Sequence, residues 1–406
     1  MTVSDQLREL LQKAKVYPEE RVAWPPIIIE GVPMGAHRDT VGDGNWYSRD
    51  IGRSTMLSNG DVLFQFGDTF THDKAGRFMG LVENTVSVST KPSNPTRSSY
   101  KQNNEPGDIV AFIGASPSEV RQHGKIWSFS GIVEVIDPKA ANKDLVTGWT
   151  WYEMRQKNTS ARIPEYVYTG LAKVEYDPVL KRATAERVII GNHHTLFDVH
   201  EPRFGSCSAV SDGQFIYLYG RTSERNKDCH VARVRVGAVA HRLSYAFWNG
   251  ERWCYDIRQS IPVIRDMQHG QVFKSKMFGK NSPYEWVLIG CNGQGDDRIQ
   301  MGRAISPEGP WEVEDLGVNT YFRRQHFPRD YTYCVYPHPW ADKTQWTGMF
   351  TVSWSEGGMT GDVLMQKYRF KMERYPEEPS FFRRKLDDLC LFVRNASPTS
   401  RGYTAL

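Results

Sequence analysis

The sequence predicts an all-β fold built from repeated units of about four strands. Three observations lead to this prediction. The chain is rich in aromatic residues, with 19 Tyr, 19 Phe and 12 Trp among 406 residues. Its short apolar runs follow one another at even spacing, and tight turns separate them. Aromatic side chains favour the half-buried surface of a pleated sheet, so this composition indicates strands rather than helices.

Two turn dipeptides mark hairpins. Asn59-Gly60 separates two apolar runs in residues 53–66, and Asp212-Gly213 does the same in residues 206–219. Asn-Gly and Asp-Gly between apolar runs are the strongest short-range hairpin signal. The second unit continues through VARVRV and AFWNGERWCYD, which gives roughly four strands in about 50 residues, the size of one propeller blade.

Comparable units recur along the chain. They cover residues 36–90, the strands IVAFIG to YVYTGLAKVEY, residues 271–315 and residues 331–370. Together with the unit that begins at residue 206, these units predict a five-bladed β-propeller. A pair of β-sandwiches is the structural alternative. Even spacing and chain length favour the propeller, in which few sheet edges are exposed.

The domain prediction is a single propeller over residues 1–406. Its parts are an N-terminal helix and lead-in strand (1–35), the blades (36–375) and a C-terminal extension (376–406). The short N-terminal helix is predicted because Leu7, Leu10, Leu11 and Ala14 share one helical face, with Ser4 as N-cap.

Charge and motifs exclude several classes of function. The net charge is only +4, with 51 basic and 47 acidic side chains and no dense basic tract, so neither nucleic acid nor a membrane surface is expected as a partner. No apolar run is long enough to span a membrane. Charged residues occupy the N-terminus where a secretory leader would be apolar, so we expect a cytoplasmic monomer or homodimer.

Metal and cofactor signatures are missing from the sequence. The six cysteines are scattered without CxxC pairing, and no P-loop, dinucleotide fingerprint or nucleophile elbow is present. We therefore expect reduced thiols, no metal and no cofactor.

Polar residues on the inner strands are the candidate site residues, because these strands line the central channel whose mouth is the usual pocket. Arg49 and Asp50 open the first blade, either as a buried ion pair or as a substrate-facing carboxylate and its cation. Asp68 ends the next strand, either capping a turn or pointing into the mouth. Asn84 interrupts an alternating strand.

Later units supply further candidates. Arg203 and Arg221 bracket the third unit near Tyr219, where an arginine binds an anionic oxygen or simply lies on a surface loop. Lys274 is either a desolvated lysine with a shifted pKa, or a charged residue that keeps an edge strand from pairing with another chain. Near the last unit, Tyr331, Tyr333, Tyr336 and His338 could transfer protons or form an aromatic lining.

Several segments resemble a family of five-bladed propellers related to sugar-cleaving enzymes. SRDIGRS, GDVLFQFGDTF and ENTVSVS resemble its opening blades, and DGQFIYLYGR, HVARVRV, YAFWNGERW and SPEGPWE resemble its later ones. Arg49-Asp50-Ile51-Gly52 departs from the doubled glycine often seen there. In size and in its N-terminus, the chain is similar to the intracellular fungal hetero-Diels–Alderases of tropolone sesquiterpene biosynthesis.

That resemblance implies a secondary-metabolism enzyme that dehydrates a polyketide tropolone alcohol to a quinone methide and joins it to a humulene-type terpene. Arg221, Lys274 or His338 would assist loss of the hydroxyl group, and Asp50 or Asp68 would orient the donor. The remaining candidates would line the substrate cavity: Arg49, Asn84, Trp151, Arg203, Tyr219, Tyr333, Tyr336 and Trp354.

Two other functions stay open. A glycoside hydrolase or polysaccharide lyase acting on furanose- or uronate-containing glycans needs opposed carboxylates, for which Asp50, Asp68 and Glu153 are the candidates. A carbohydrate-binding propeller without catalysis needs only aromatic platforms and polar edges. An apolar cavity without paired carboxylates would exclude the hydrolase.

Overall fold

The computed structural model describes nine segments of the chain. These are residues 19–39, 46–100, 109–136, 144–157, 163–293, 298–319, 331–342, 348–357 and 361–375. The predicted N-terminal helix and C-terminal extension lie outside them. Val22–Lys371 forms one compact unit, and the described residues of a second unit are 19–21 and 372–375. A two-stranded sheet pairs Glu19–Val22 with Met372–Tyr375.

Five antiparallel sheets form the blades, which confirms the predicted five-bladed β-propeller and makes the sandwich alternative wrong. Blade 1 consists of Trp46–Met56, Val62–His72, Phe78–Val82 and Thr85–Ser89. Blade 2 consists of Gly124–Trp127, Val133–Val135, Val146–Gln156, Glu165–Asp177 and Arg182–Arg187. Blade 3 consists of Ser208–Ser211, Phe215–Arg221, Cys229–Arg235, Ala246–Trp248, Trp253–Cys254 and Pro262–Ile264.

The last two blades close the ring. Blade 4 consists of His269–Lys274, Trp286–Cys291, Arg298–Ala304 and Glu312–Asn319. Blade 5 consists of Thr332–Pro337, Met349–Glu356, Val363–Phe370 and, from the start of the chain, Ile28–Ala36. Because Ile28–Ala36 pairs with Val363–Phe370, backbone hydrogen bonds between early and late segments complete blade 5.

Elements outside the blades are short. Arg38–Asp39 and Arg97–Ser98 pair in parallel. The nine described segments contain one α-helix, Pro117–Arg121, whose N-cap is Ser116; the side chains of Ser116 and Glu119 form a capping box. The 3₁₀ turns are Val236–Ala238, Arg242–Ser244, Ile257–Gln259 and Pro339–Ala341. Within the described segments, no helix is long and apolar enough to cross a membrane.

The predicted hairpin turns are confirmed. Gly60 and Gly213 have φ values of 87° and 95°, a left-handed conformation that glycine adopts without steric cost. The turns set the register in which Met56 pairs with Val62 and Ser211 with Ile216. The dipeptides therefore located the first two strands of blades 1 and 3.

Apolar side chains between neighbouring blades form the core. One cluster joins blades 1 and 2, a second joins blades 2 and 3, and a third joins blades 3 and 4. Smaller clusters bring residues of blades 1 and 5 together. Burial of these faces supplies the main favourable free energy of folding, so each blade depends on its neighbours for stability.

A buried arginine ties the inner strands together. Arg53 of blade 1 donates hydrogen bonds to the carbonyl oxygens of Phe129 and Cys207, the latter at 3.0 Å, and to Ser208 Oγ at 3.2 Å. Its guanidinium carbon lies 5.1 Å from the ring centroid of Tyr336 in blade 5. Because it is 1% exposed, Arg53 acts as a cross-link between blades and not as a solvent-facing charge.

Candidate functional site

A cavity of about 290 Å³ receives side chains from all five blades or the loops beside them. Its lining residues are Asp50, Ile51, Gly67, Asp68, Trp127, Phe129, Ile163, Arg221, Glu224, Gln268, His269, Tyr331, Tyr333 and Cys334. Convergence of the blades on one cavity is the arrangement expected at a channel mouth, so this cavity is the candidate site.

Asp50 lies where the inner strand of blade 1 is distorted. Register shifts occur on both sides of Ile51, and Ile51 and Gly52 have φ values of 71° and 70°. A β-branched residue in the left-handed region is a strained exception. The Ile51 N–H donates to Ser355 Oγ of blade 5 at 2.8 Å, which anchors the distortion. The bulge therefore fixes the position of the Asp50 carboxyl group at the cavity.

Close packing requires a glycine at position 67, in the Gly67-Asp68 pair on the second strand of blade 1. A Cβ at this position would collide with Oδ1 of Asp50 and with the side chain of Ile51. Only glycine lets the Asp50 carboxyl group pack against this backbone. The next residue, Asp68, then brings a second carboxyl group to the same cavity wall.

The two carboxyl groups have altered acidities. Burial, and then the charge of Asp68, raise the pKa of Asp50 to about 7, although the Tyr333 hydroxyl donates to Asp50 Oδ2 at 2.7 Å. Burial also raises the pKa of Asp68, and Lys125 and Trp127 oppose that shift. Near neutral pH the pair therefore tends to keep one proton, which we place on Asp50.

Glu224, at the opposite side of the ring in blade 3, is an ionised carboxylate. Its Oε1 accepts hydrogen bonds from Arg155 at 2.5 Å and Arg203 at 2.6 Å, and Oε2 lies 3.2 Å from Arg221 Nη2. Burial alone would raise the pKa of Glu224, but Arg221 and then Arg155 hold it well below its usual value. Glu153 binds the other side of Arg155.

His269 adds an uncharged imidazole to the wall formed by blade 4. Burial, and then the positive charge of Arg221, lower its pKa to about 3. Aromatic rings complete the lining, and those of Tyr331 and Tyr333 lie 5.5 Å apart between centroids. The cavity thus combines aromatic surface, a proton-holding carboxyl pair and an arginine-rich wall.

Five of the candidates named from the sequence line this cavity: Asp50, Asp68, Arg221, Tyr331 and Tyr333. Arg203 contacts it indirectly, through Glu224. For Asp50 and Asp68, the structure favours the cavity-facing alternative over a buried ion pair or a turn cap. Their catalytic roles remain predictions.

The other predicted catalytic residues lie elsewhere. Lys274 exposes 45% of its side chain, and its Nζ lies 4.0 Å from Glu285 and 5.3 Å from the Trp286 ring centroid. His338 is fully buried, contacts Ser54 and Ser353 through its two ring nitrogens, and burial lowers its pKa to about 3.

The remaining predicted lining residues are packed into the protein. Arg49 donates to the Tyr100 hydroxyl at 2.8 Å and lies over the Phe66 ring. Asn84 exchanges hydrogen bonds with the backbone of Ile113. The aromatic members are at most 1% exposed and fill the core: Trp151, Tyr219, Tyr336 and Trp354. They pack between or within blades because large rings supply most of the inter-blade contact area.

Sequence reasoning did not single out Glu224 and His269. Glu224 lies in the charged run SERNKD, which resembles a solvated loop. The available signal was the set of three arginines at 155, 203 and 221, whose charges require a carboxylate once they are buried. Among the described residues, no group of three or more His, Cys, Asp or Glu is placed to hold a metal ion. Five cysteines in these segments are free thiols.

A protein-family model described as a domain of unknown function (DUF5005) matches residues 41–337. Among curated proteins, an NAD-dependent protein deacylase of Thermococcus sibiricus is 30% identical over 86 residues, which cover 20% of this chain. The aligned segment spans only 34% of that relative's length.

Three solved structures are similar to this chain to different degrees, and the first of them shares its fold. A Bacteroides ovatus protein provisionally described as a hydrolase has a TM-score of 0.55 at 14% identity, covering 93% of this chain and 97% of its own. An α-L-arabinofuranosidase of Fusarium graminearum has a TM-score of 0.35 at 7% identity, covering 84% and 98%. A family GH43 enzyme of Xanthomonas citri with bound xylotriose has a TM-score of 0.38 at 11% identity, covering 87% and 95%.

Proposed function

The chain belongs to the DUF5005 family of domains of unknown function, and from that premise we propose that it is a glycoside hydrolase. The observation that carries the proposal is the Asp50–Asp68 pair in the cavity, with the pKa of Asp50 near 7. Glycoside hydrolysis uses one protonated and one ionised carboxyl group beside the scissile bond. The B. ovatus relative is itself described as a hydrolase, which agrees with this proposal.

In the proposed reaction, Asp50 is the general acid. Its proton passes to the glycosidic oxygen as the bond to the anomeric carbon breaks. Asp68 supplies the carboxylate needed at the anomeric carbon or for activation of water. The aromatic walls formed by Trp127 and Tyr331 would pack against the apolar face of a sugar and exclude bulk water.

The hetero-Diels–Alder hypothesis has weaker support. It assigned the assisting proton donor to Arg221, Lys274 or His338, and of these only Arg221 lines the cavity. It needed an aromatic cavity, whereas this one also contains carboxyl groups and a charged cluster. Cycloaddition to a humulene-type terpene would place these charges against hydrocarbon, which is unfavourable.

A direct incubation separates the candidates. Purified protein is mixed with a panel of arabinan, xylan, pectin and aryl-glycosides, and in parallel with a tropolone alcohol and humulenol. We expect shortened sugars from at least one glycan and no terpene adduct. Adduct formation without sugar release would overturn the proposal, and so would binding of glycans without cleavage, the result expected of a lectin-like propeller.

Activity is expected to depend on the protonation of Asp50. Because the reactive form is protonated and its pKa is raised to about 7, kcat/KM should be highest below pH 7. Above that value it should fall about tenfold for each pH unit. A pH profile of initial rates on the cleaved glycan checks this. An alkaline limb centred near pH 4, the ordinary value for an aspartic acid, would contradict the assignment.

Tyr333→Phe tests the hydrogen bond to Asp50. The Tyr333 hydroxyl favours the charged form of Asp50, so its loss should raise the pKa of Asp50 further and move the alkaline limb to higher pH. Tyr284→Phe, which removes a hydroxyl that bonds to Glu312 in blade 4, is the matched control. An unchanged limb in Tyr333→Phe would show that this contact does not set the acidity of Asp50.

A further inference from the structure

Arg221 has unused hydrogen-bonding capacity beside the cavity. Its side chain is 4% exposed, and Nη2 lies 3.2 Å from Glu224 Oε2. Its Nε and Nη1 atoms are buried and find no hydrogen-bond partner among the described residues. Buried donors without partners are rare in folded proteins because each costs free energy, so these donors point to a ligand.

The charges around Arg221 do not balance. Three arginines, Arg155, Arg203 and Arg221, are joined to only two carboxylates, Glu153 and Glu224. Arg155 contacts both carboxylates. Arg221 contacts only one oxygen of Glu224, and its distance of 3.2 Å is longer than the distances from Arg155 and Arg203 to Glu224. One positive charge therefore remains, and Arg221 is the arginine that carries it at the cavity wall.

Two other titratable groups that interact with Arg221, His269 and Cys229, carry no charge that could neutralise it. His269 is an uncharged imidazole because burial lowers its pKa to about 3. Burial holds the pKa of the Cys229 thiol well above its usual value, so Cys229 stays protonated. The hydrogen bond from the Cys229 thiol, whose sulfur lies 3.2 Å away, lowers the pKa of Cys207, and the charge of Arg221 acts in the same direction. A small anion bound beside Arg221 would supply acceptors for its unpaired donors.

We propose that Arg221 binds the carboxylate of a uronic acid, so that the substrate is a uronate-containing glycan. A guanidinium group binds a carboxylate through charge-assisted hydrogen bonds. A singly charged carboxylate is repelled less by Asp68 and Glu224, which line the same cavity, than a doubly charged phosphate would be. Blade 3 then holds the acidic sugar while blade 1 presents the proton of Asp50. This inference rests on the proposed hydrolase function.

Binding of small sugars tests the proposal without requiring turnover. The probes are methyl glucuronide, methyl galacturonide, the methyl ester of each, methyl glucoside and glucose 6-sulfate, titrated calorimetrically into the full chain at low ionic strength. We expect one of the two uronides to bind at least about tenfold more tightly than its ester and the glucoside, equal to about 1.4 kcal/mol. Equal affinities, no detectable uronide binding, or tighter binding of glucose 6-sulfate would overturn it.

Variants locate the binding group. Arg221→Gln should abolish the preference for the free carboxylate, and Arg221→Lys should retain part of it because the charge remains. Arg258→Gln removes an arginine that is 86% exposed and pairs with Asp256 on the surface, and should leave the preference unchanged. If Arg221→Gln does not fold, Arg221→Lys and the ester comparison decide. An unchanged preference for the free carboxylate over its ester in Arg221→Lys would contradict the proposal.

Asp50→Asn separates failure of this inference from failure of the hydrolase function. It should lose cleavage but keep uronide binding, because Asp50 lies on blade 1 and Arg221 on blade 3. Uronide binding by a protein that cleaves no glycan would refute the hydrolase function alone. Cleavage restricted to neutral glycans would refute the uronate inference alone.

Discussion

Asp50→Asn is expected to lower kcat for glycan cleavage by roughly 10²–10⁴-fold, the usual contribution of a general acid. The amide cannot donate a dissociable proton to the glycosidic oxygen. It does resemble the protonated carboxyl group, which is the form that burial favours at this position. The fold should therefore be unaffected, and thermal unfolding followed by circular dichroism verifies that the loss is chemical.

Asp198→Asn is the matched control for this substitution. Asp198 is exposed in a loop that precedes blade 3, away from the cavity residues. Its replacement should leave kcat within about twofold, as for most surface substitutions. Loss of activity in Asp198→Asn as large as that in Asp50→Asn would indicate a general effect of charge. Full activity in Asp50→Asn would remove Asp50 from the mechanism.

Glu224→Gln is expected to destabilise the propeller by roughly 2–4 kcal/mol. Breaking a fully buried ion pair costs about 3–5 kcal/mol, and Glu224 keeps 35% of its side chain exposed, so screening by solvent reduces the figure. The substitution leaves Arg203 and Arg221 without a carboxylate partner. Urea unfolding followed by tryptophan fluorescence measures the change.

Glu201→Gln serves as the control for that measurement. Glu201 pairs with one arginine, Arg242, at 2.7 Å, and both side chains are about one quarter exposed. A partly exposed pair of this kind contributes roughly 0–1 kcal/mol. Similar losses in the two variants would mean that the arginine cluster has no special dependence on Glu224.

Much of the fold could be predicted from local sequence features. Asn59-Gly60 and Asp212-Gly213 marked hairpins because a left-handed turn limits the residues that can occupy it. Blade 2 was harder to predict, because two short strands occupy the place of one inner strand. These strands, Gly124–Trp127 and Val133–Val135, both pair with Val146–Gln156. The closure by Ile28–Ala36 pairs residues more than three hundred positions apart, a contact that no local pattern encodes.

The site was predictable only in part, because polar residues in apolar strands have two explanations. Asp50, Asp68 and Arg221 line the cavity, whereas Arg49 and His338 form hydrogen bonds inside the protein, with Tyr100 and Ser353 respectively. Burial and hydrogen bonding decide between these outcomes, and both depend on blades distant in sequence. Aromatic residues gave the least guidance about the site. Nothing in the sequence separates Trp127, which lines the cavity, from Trp151 and Trp354, which lie in the core.

The central claim is that the cavity hydrolyses a glycosidic bond with the Asp50–Asp68 pair. The most direct measurement is mass spectrometry of glycan products formed in heavy-oxygen water by the wild-type protein. Hydrolysis predicts one heavy oxygen atom in each cleaved pair of fragments, and no such products from Asp50→Asn. Products that contain a new double bond and no heavy oxygen, or no cleavage of any glycan in the panel, would contradict the account.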